Sequence, residues 1–413
     1  MTFAVFLRST KVVLSGMAIS QSIPLLGSLL ISRLYAPSEF GLFSAWLGIV
    51  MTAAVFVTGR LEMALGIEHD GEPRRFAMIA TLVSIIIVCS VLTFITIGAY
   101  SFLPAIRDLN LGLILIFLPA TFLVAVLQAW QSWAAAEGQY RELSFMRIMQ
   151  AFAVTGAQIL IGYFSPNAVG MSCGYFFGVL VGVLAAVYFM PINFKHVKPL
   201  SGFKVQLKAF WLTHHRFPIY ALPADLINSA SGQLPLLFIA SKYGLEFSGL
   251  FALSIKVLGA PIGLLGSAVL DVFKRSAAKS YRELGSCRKD YLRTFTLLTA
   301  LGALFAIAVN LMAESIFVFA FGERWRFSGV ISIWLMPMFA MRFVASPLSY
   351  VFYIAGKQSV DLVWQCSLFV VTLLAFLMPD NFQMSIKAYA IGYACLYFVY
   401  LILSFRYSSS SHA

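Results

Sequence analysis

The chain has 413 residues, of which 60% are hydrophobic and only 11% are Asp, Glu, Lys or Arg, against roughly 25% charged residues in soluble domains. That excludes an ordinary soluble enzyme, and because a membrane-crossing helix needs about 20 apolar residues, the length holds about a dozen of them. The net charge of +12 would point to nucleic acid in a soluble chain; here it asks on which side of a membrane the basic residues lie.

Hydrophobic runs bounded by charged or turn residues predict spans over 12–32, 41–62, 76–101, 111–136, 144–164 and 168–190. The first run, Val12 to Leu34, is too long for a signal peptide and no small-residue cleavage site follows it, so it reads as a retained span. A polar break from Pro191 to Arg216 comes next, and then spans over 218–241, 247–272, 294–321, 329–355, 360–378 and 386–405. The expected fold class is an all-α polytopic membrane protein of about 12 transmembrane helices. An outer-membrane barrel would alternate in polarity along each strand, whereas Met78 to Gly98 is apolar on every face. The break divides the chain into an amino-terminal six-helix bundle (1–195), a cytoplasmic linker (196–216) and a carboxy-terminal six-helix bundle (217–413).

With an even number of spans both termini share a side, and the Lys/Arg bias chooses it. Termini inside places Arg8, Lys11, Arg60, Arg74, Arg75, Arg141, Arg147, the group from Lys195 to Arg216, the group from Lys274 to Arg293, Lys357 and Arg406 in the cytoplasm. Arg33, Arg107, Lys242, Arg324, Arg326 and Lys387 fall outside. Most of the positive charge therefore records orientation, with anionic lipid headgroups and not nucleic acid as its partner.

No Gly-x-x-x-x-Gly-Lys-Ser/Thr phosphate loop is present, so this chain is not expected to hydrolyse ATP. Cys89, Cys173, Cys287, Cys366 and Cys395 form no C-x-x-C pair, and His69, His196, His214, His215 and His412 have no metal-binding spacing; neither metal nor cofactor is expected. The longest outer segments, Phe102–Asn110 and Phe321–Ser328, leave almost no room for glycan polymerase or ligase chemistry outside the membrane. The interior of the bundle is left as the working part.

Leu30 to Phe43 can be laid over Phe238 to Phe251 at an offset of 208, which brings Gly41-Leu42-Phe43 onto Gly249-Leu250-Phe251 and Tyr35 onto Tyr243. Six spans separate the copies, so the halves form a parallel repeat related by an axis along the membrane normal, around a central cleft that works by alternating access.

Gly249, Ala252, Lys256, Gly259, Gly263 and Gly266 share one helical face, bare except for the lysine. Lys256 lies roughly 13 Å from the outer end of its span, near mid-membrane, where a charge costs at least about 2.5–3.5 kcal/mol. It faces cargo, forms an ion pair between helices, or snorkels. Arg342 is also near mid-depth, and an arginine with a lysine suits a diphosphate, one supplying a fork of donors and the other a mobile point charge. Arg33 at the outer mouth and Arg60 and Arg147 at the inner mouth make a basic ladder or interfacial anchors. Asp225, with Asn228, Ser229 and Gly232 on one stripe of the seventh span, is the candidate coupling or ion-pair carboxylate; Gln21, Ser28 and Ser32 make the polar stripe of the first. Pro24, Pro119, Pro235, Pro261 and Pro337 interrupt spans, and Gly174, Gly178 and Gly182 predict close helix packing.

The stretch Ile31-Ser32-Arg33-Leu34-Tyr35-Ala36-Pro37-Ser38-Glu39-Phe40-Gly41-Leu42-Phe43, together with Arg216 to Pro235, Gly249 to Ser254 and Asp271-Val272-Phe273, resembles the bacterial polysaccharide biosynthesis flippases. These are the O-antigen and capsule repeat-unit translocases of the multidrug/oligosaccharidyl-lipid/polysaccharide exporter superfamily. The resemblance implies transfer of an undecaprenyl-diphosphate-linked oligosaccharide across the bacterial inner membrane, for lipopolysaccharide O-antigen, capsule or exopolysaccharide. It also implies a basic interior, coupling to H+ or Na+, and glycan polymerase machinery as a partner. The rival reading is an ion-coupled multidrug-type exporter of the same superfamily, in which interior acids should dominate.

Overall fold

The computed structural model describes residues 3–102, 110–192 and 202–409. Arg107, Lys195, His196, Lys198 and His412, with most of the Phe102–Asn110 segment and the start of the linker, lie outside the described residues. Those described are almost entirely helical and divide into two compact units, Met1–Gln233 and Leu234–Ala413.

The first unit holds α1 (Phe3–Leu34), α2 (Pro37–Thr58), a 3-10 turn (Leu61–Gly66), α3 (Glu72–Phe102), α4 (Leu111–Ala136), α5 (Tyr140–Phe164), α6 (Ala168–Phe189), α7 (Phe203–Thr213) and the beginning of α8 (Leu222–Lys242). The second holds the remainder of α8, then α9 (Leu245–Pro261), α10 (Ser267–Leu284), α11 (Arg288–Phe321), α12 (Arg326–Leu348), α13 (Val351–Ile354), α14 (Gln358–Leu377) and α15 (Phe382–Arg406). Among the described residues, nine helices are long and apolar enough to cross a membrane, so the chain is a multi-pass membrane protein. The other three segments expected to span, 218–241, 247–272 and 360–378, are helical but shorter or more polar. The helical run expected over 247–272 continues to Leu284, through a π segment (Ile262–Gly266) that begins directly after Pro261, where the missing proline N–H breaks the regular ladder.

Local chemistry sets the helix starts. Asn110, Asn167 and Asn381 cap α4, α6 and α15, each side chain accepting from a backbone N–H of the first turn. Glu39 adds a long-range cap, its Oε2 accepting from Ala168 N at 2.7 Å.

The two aligned copies of the motif do the same work, each in its own unit. Tyr35, fully buried, donates from its hydroxyl to the Gln158 carbonyl at 2.8 Å and abuts Gly162; burial pushes its pKa up to about 12. Tyr243 donates to the Pro379 carbonyl at 3.1 Å and shares a 2.7 Å hydrogen bond with Ser385. Both tyrosines thus fasten the turn after a first helix to the fifth helix of the half or to the turn that follows it. Further along, Trp46 Nε1 donates to the Leu113 carbonyl at 3.0 Å, joining α2 to α4, while Ser254 Oγ donates to the Ser328 carbonyl at 2.8 Å and Ser328 Oγ to the Leu250 carbonyl at 3.0 Å, joining α9 to α12. Tyr35→Phe removes one buried donor and should cost about 1–3 kcal/mol; a thermal melt of the detergent-purified protein checks this, and an unshifted melt would show that the hydroxyl carries no stability.

Gly174, Gly178 and Gly182 face α5 as their spacing predicts. A Cβ at Gly174 would lie 2.8 Å from Gln158 N, one at Gly182 would lie 3.0 Å from Gln150 Cγ, and one at Gly178 would collide with the Val154 backbone.

The linker contains a helix that polarity alone does not announce. Phe203, Leu207, Phe210 and His214 recur at steps of four, three and four on α7. Leu207 and Phe210 are buried, and Phe203 meets Phe76 of α3 with ring centroids 5.9 Å apart.

Candidate functional site

The first unit gathers its charges along a seam where α2 and the turn after it run antiparallel to the segment 214–233. Gln233 abuts Gly48, Thr52 Oγ1 and Ser229 Oγ lie 3.0 Å apart, Arg60 meets Asp225, and Glu68 meets His214 at 2.7 Å. Arg60 is the only non-glycine residue with a left-handed backbone among those described, φ +60° next to Gly59 at +58°. A conformation that costs about 1–3 kcal/mol persists where its surroundings over-determine it. Here it aims the guanidinium at two acids: Nε donates to Asp225 Oδ2 at 2.5 Å, and Nη1 to Glu62 Oε1 at 3.2 Å. Burial opposes the arginine's charge, but the two carboxylates outweigh it and hold its pKa above the usual value. Glu62 is 3% exposed, and its second oxygen has no hydrogen-bond partner among the described residues.

Asp225 is therefore an ion-pair carboxylate to Arg60, and Asn228, on the same helix, is exposed. Arg147 is half-buried and donates to Gln131 Oε1 at 3.3 Å, tying α5 to α4. Arg33 is exposed in the last turn of α1, and Gln21 is exposed on the same helix. Ser28 and Ser32 are buried and bond back to their own helix at Leu25 and Leu29, so they line no open surface. Only the tertiary fold joins Arg60 and Asp225, two residues far apart in the chain.

A coupling test follows. In a double-mutant cycle with Arg60→Met and Asp225→Asn, the interaction energy from denaturation should be about 0.5–3 kcal/mol. Additive effects of the two changes would show that the pair contributes nothing to stability.

In the second unit, Lys256 lies half-buried on α9, with no carboxylate paired to it among the described residues. One turn on, a Cβ at Gly259 would meet nothing within 4 Å, so the lysine borders open space. Of the face expected from the spacing, Ala252, Lys256 and Gly259 are half-buried and Gly263 is exposed, whereas Gly249 and Gly266 are buried. Arg342 is exposed on α12, a helix buried around most of its circumference. From Pro337 on, the accessible positions of that helix include Pro337, Met341, Arg342 and Ser346, and Ser349 and Tyr350 follow directly after its end. No ion pair engages Lys256 or Arg342 among the described residues.

Tyrosines not singled out from the sequence back Arg342. Tyr389, Tyr393 and Tyr397 on α15 are buried and lie within its electrostatic reach. The Tyr389 and Tyr393 rings lie 4.4 Å apart, tilted by 48°, and Tyr393 shares a 2.8 Å hydrogen bond with Thr372. The row ends at Tyr400, which donates to Asp361; that carboxylate also accepts from Gln365 at 2.9 Å. The four-residue spacing of the tyrosines was the available signal.

These arrangements are cation-bearing surfaces inside a helical membrane protein, with no cluster of metal ligands among the described residues. Solved structures with similar folds include the lipid II flippase MurJ in an inward closed conformation, at 12% identity over 93% of this chain and 85% of that one, with a TM-score of 0.73. An inward-facing multidrug resistance MATE family transporter of the MOP superfamily is similar at 14% identity over 93% of both chains, TM-score 0.64. A MOP superfamily transporter from Pyrococcus furiosus, described as having a binding pocket of reversed polarity, is similar at 13% identity over 96% of this chain and 94% of that one, TM-score 0.57. No curated protein matches the sequence. The family described as polysaccharide biosynthesis protein matches residues 30–351, which include the motif from Ile31, its second copy, Lys256 and Arg342, and the chain belongs to that family.

Proposed function

We propose that the protein translocates an undecaprenyl-diphosphate-linked oligosaccharide repeat unit across the bacterial inner membrane by alternating access, for O-antigen lipopolysaccharide or capsular and exopolysaccharide synthesis. The observation that carries the reading is the pair of cations on α9 and α12, Lys256 beside open space and Arg342 on an accessible strip with Ser346, neither held by an acid among the described residues. Diphosphate oxygens would supply the missing negative charge, with the arginine fork and the lysine point charge sharing them. Membership of a polysaccharide biosynthesis family and the fold shared with a lipid II flippase support a lipid-linked cargo. The arrangement proposed with it is twelve spans, both termini cytoplasmic, an inward basic bias and two six-helix halves joined by the segment around α7.

The pairing of Asp225 with Arg60 supports a structural carboxylate there ahead of a coupling role for H+ or Na+. It also weighs against the rival multidrug-type export, which calls for a free interior acid. Glycan polymerase machinery is the partner to expect downstream of such a translocator, and the translocator itself performs no bond chemistry. A strain lacking the protein should accumulate lipid-linked repeat units on the cytoplasmic face of the membrane; continued polymer synthesis without accumulation would refute the reading.

A further inference from the structure

Helix α7 has three faces: one packs inward, a second also reaches α3 through Trp211, and the third makes no contact among those described. Phe203, Leu207, Phe210 and His214 turn inward, where Phe203 touches Phe76, Trp211 Nε1 donates to Ser84 Oγ at 2.8 Å, and His214 bonds Glu68 at 2.7 Å. Phe76 and Ser84 both belong to α3, a membrane-spanning helix. The helix is thus seated against the flank of a span near its charged start, Glu72 to Arg75.

Its other two faces are exposed. One is apolar, with Val205 72% and Leu212 63% accessible. The other carries Lys204, Lys208, Trp211 and His215 at steps of four, three and four, all exposed, and Arg216 follows in the chain. No acidic residue occurs from Gly202 to Arg216. Apolar side chains beside a span seek lipid tails, a row of lysines beside them seeks phosphate, and tryptophan favours the layer between.

We propose that α7 is a membrane-surface anchor whose occupant is the headgroup of an anionic phospholipid, gripped by Lys204 and Lys208 while Val205, Trp211 and Leu212 enter the acyl boundary. Each lysine near an anionic surface should raise the preference for anionic lipid about fivefold. This inference stands on the placement of α7 and does not depend on the cargo.

The test uses the full-length protein reconstituted into vesicles in which either phosphatidylglycerol or phosphatidylcholine carries brominated chains, with the Trp211-dependent emission taken as the difference from Trp211→Phe. Brominated phosphatidylglycerol should quench Trp211 more strongly than brominated phosphatidylcholine at equal content. The excess should disappear in the Lys204→Gln/Lys208→Gln double variant, whose substitutions lie on the surface, and should shrink in high salt. Equal quenching by both lipids, or an excess that survives the double variant, would overturn the proposal. If Trp211→Phe fails to fold, whole-protein quenching compared between wild type and the double variant gives the same decision.

Discussion

Lys256→Ala and Arg342→Ala should each reduce surface glycan about tenfold or more while leaving the amount of membrane protein unchanged. The magnitude follows from losing a charge-assisted hydrogen bond to the cargo, about 1.5–3 kcal/mol, which is at least about a factor of ten in an equilibrium. Protein level should hold because neither side chain is tied to an acid among the described residues, so its removal strands no buried carboxylate. Arg342→Lys separates charge from geometry: it keeps the cation but loses the planar fork, and glycan should fall to an intermediate level. Surface glycan from gels, set against immunoblots of membranes, provides the measurement. Normal glycan in both alanine variants would remove these residues from the cargo site.

The second large effect is structural. Gly178→Leu should leave little or no folded protein, because even the first carbon of a side chain would meet the Val154 backbone across α5 and α6. Side-chain ends can swing away, but a facing helix backbone can yield only if the helices separate. Gly178→Ala should already destabilise by about 1–3 kcal/mol, the usual range for overpacking. Gly156, exposed on α5 with nothing within 4 Å of an added Cβ, is the control. There alanine should be neutral or mildly stabilising, since glycine is the poorer helix former. Thermal unfolding of purified variants distinguishes the two sites, and equal behaviour would contradict close packing at Gly178.

Signals that live in local chemistry were legible in the sequence. The apolar runs found the helices, Asn110 and Asn167 mark starts because a side-chain oxygen there satisfies a free N–H, and the glycine steps from Gly174 located a helix contact. The internal repeat was legible as a pattern, and the paired roles of Tyr35 and Tyr243 supply its physical reason: a tyrosine hydroxyl, buried at Tyr35 and half-buried at Tyr243, secures the turn after the first helix of each copy. Lys256 and Arg342 stood out because each interrupts an otherwise apolar run, where a charge is costly. Partnerships were not legible. Nothing near Asp225 in the chain specifies Arg60, and the left-handed backbone that aims Arg60 depends on the turn closed by Gly59. Likewise α7 was hidden by its mixed polarity, because a short helix with one buried face and one basic face averages to a polar linker. The tyrosine row behind Arg342 was visible as spacing, but its meaning required knowing which helix faces it.

The most direct measurement places the purified protein in vesicles containing a fluorescent undecaprenyl-diphosphate oligosaccharide and follows its exposure to an outside sugar-specific enzyme. Wild-type protein should expose substrate beyond the half already in the outer leaflet, and Arg342→Ala should return exposure to the level of empty vesicles. Transfer by Arg342→Ala as fast as by wild type, or no transfer by the folded wild-type protein with a gradient of H+ or Na+ imposed, would contradict the account.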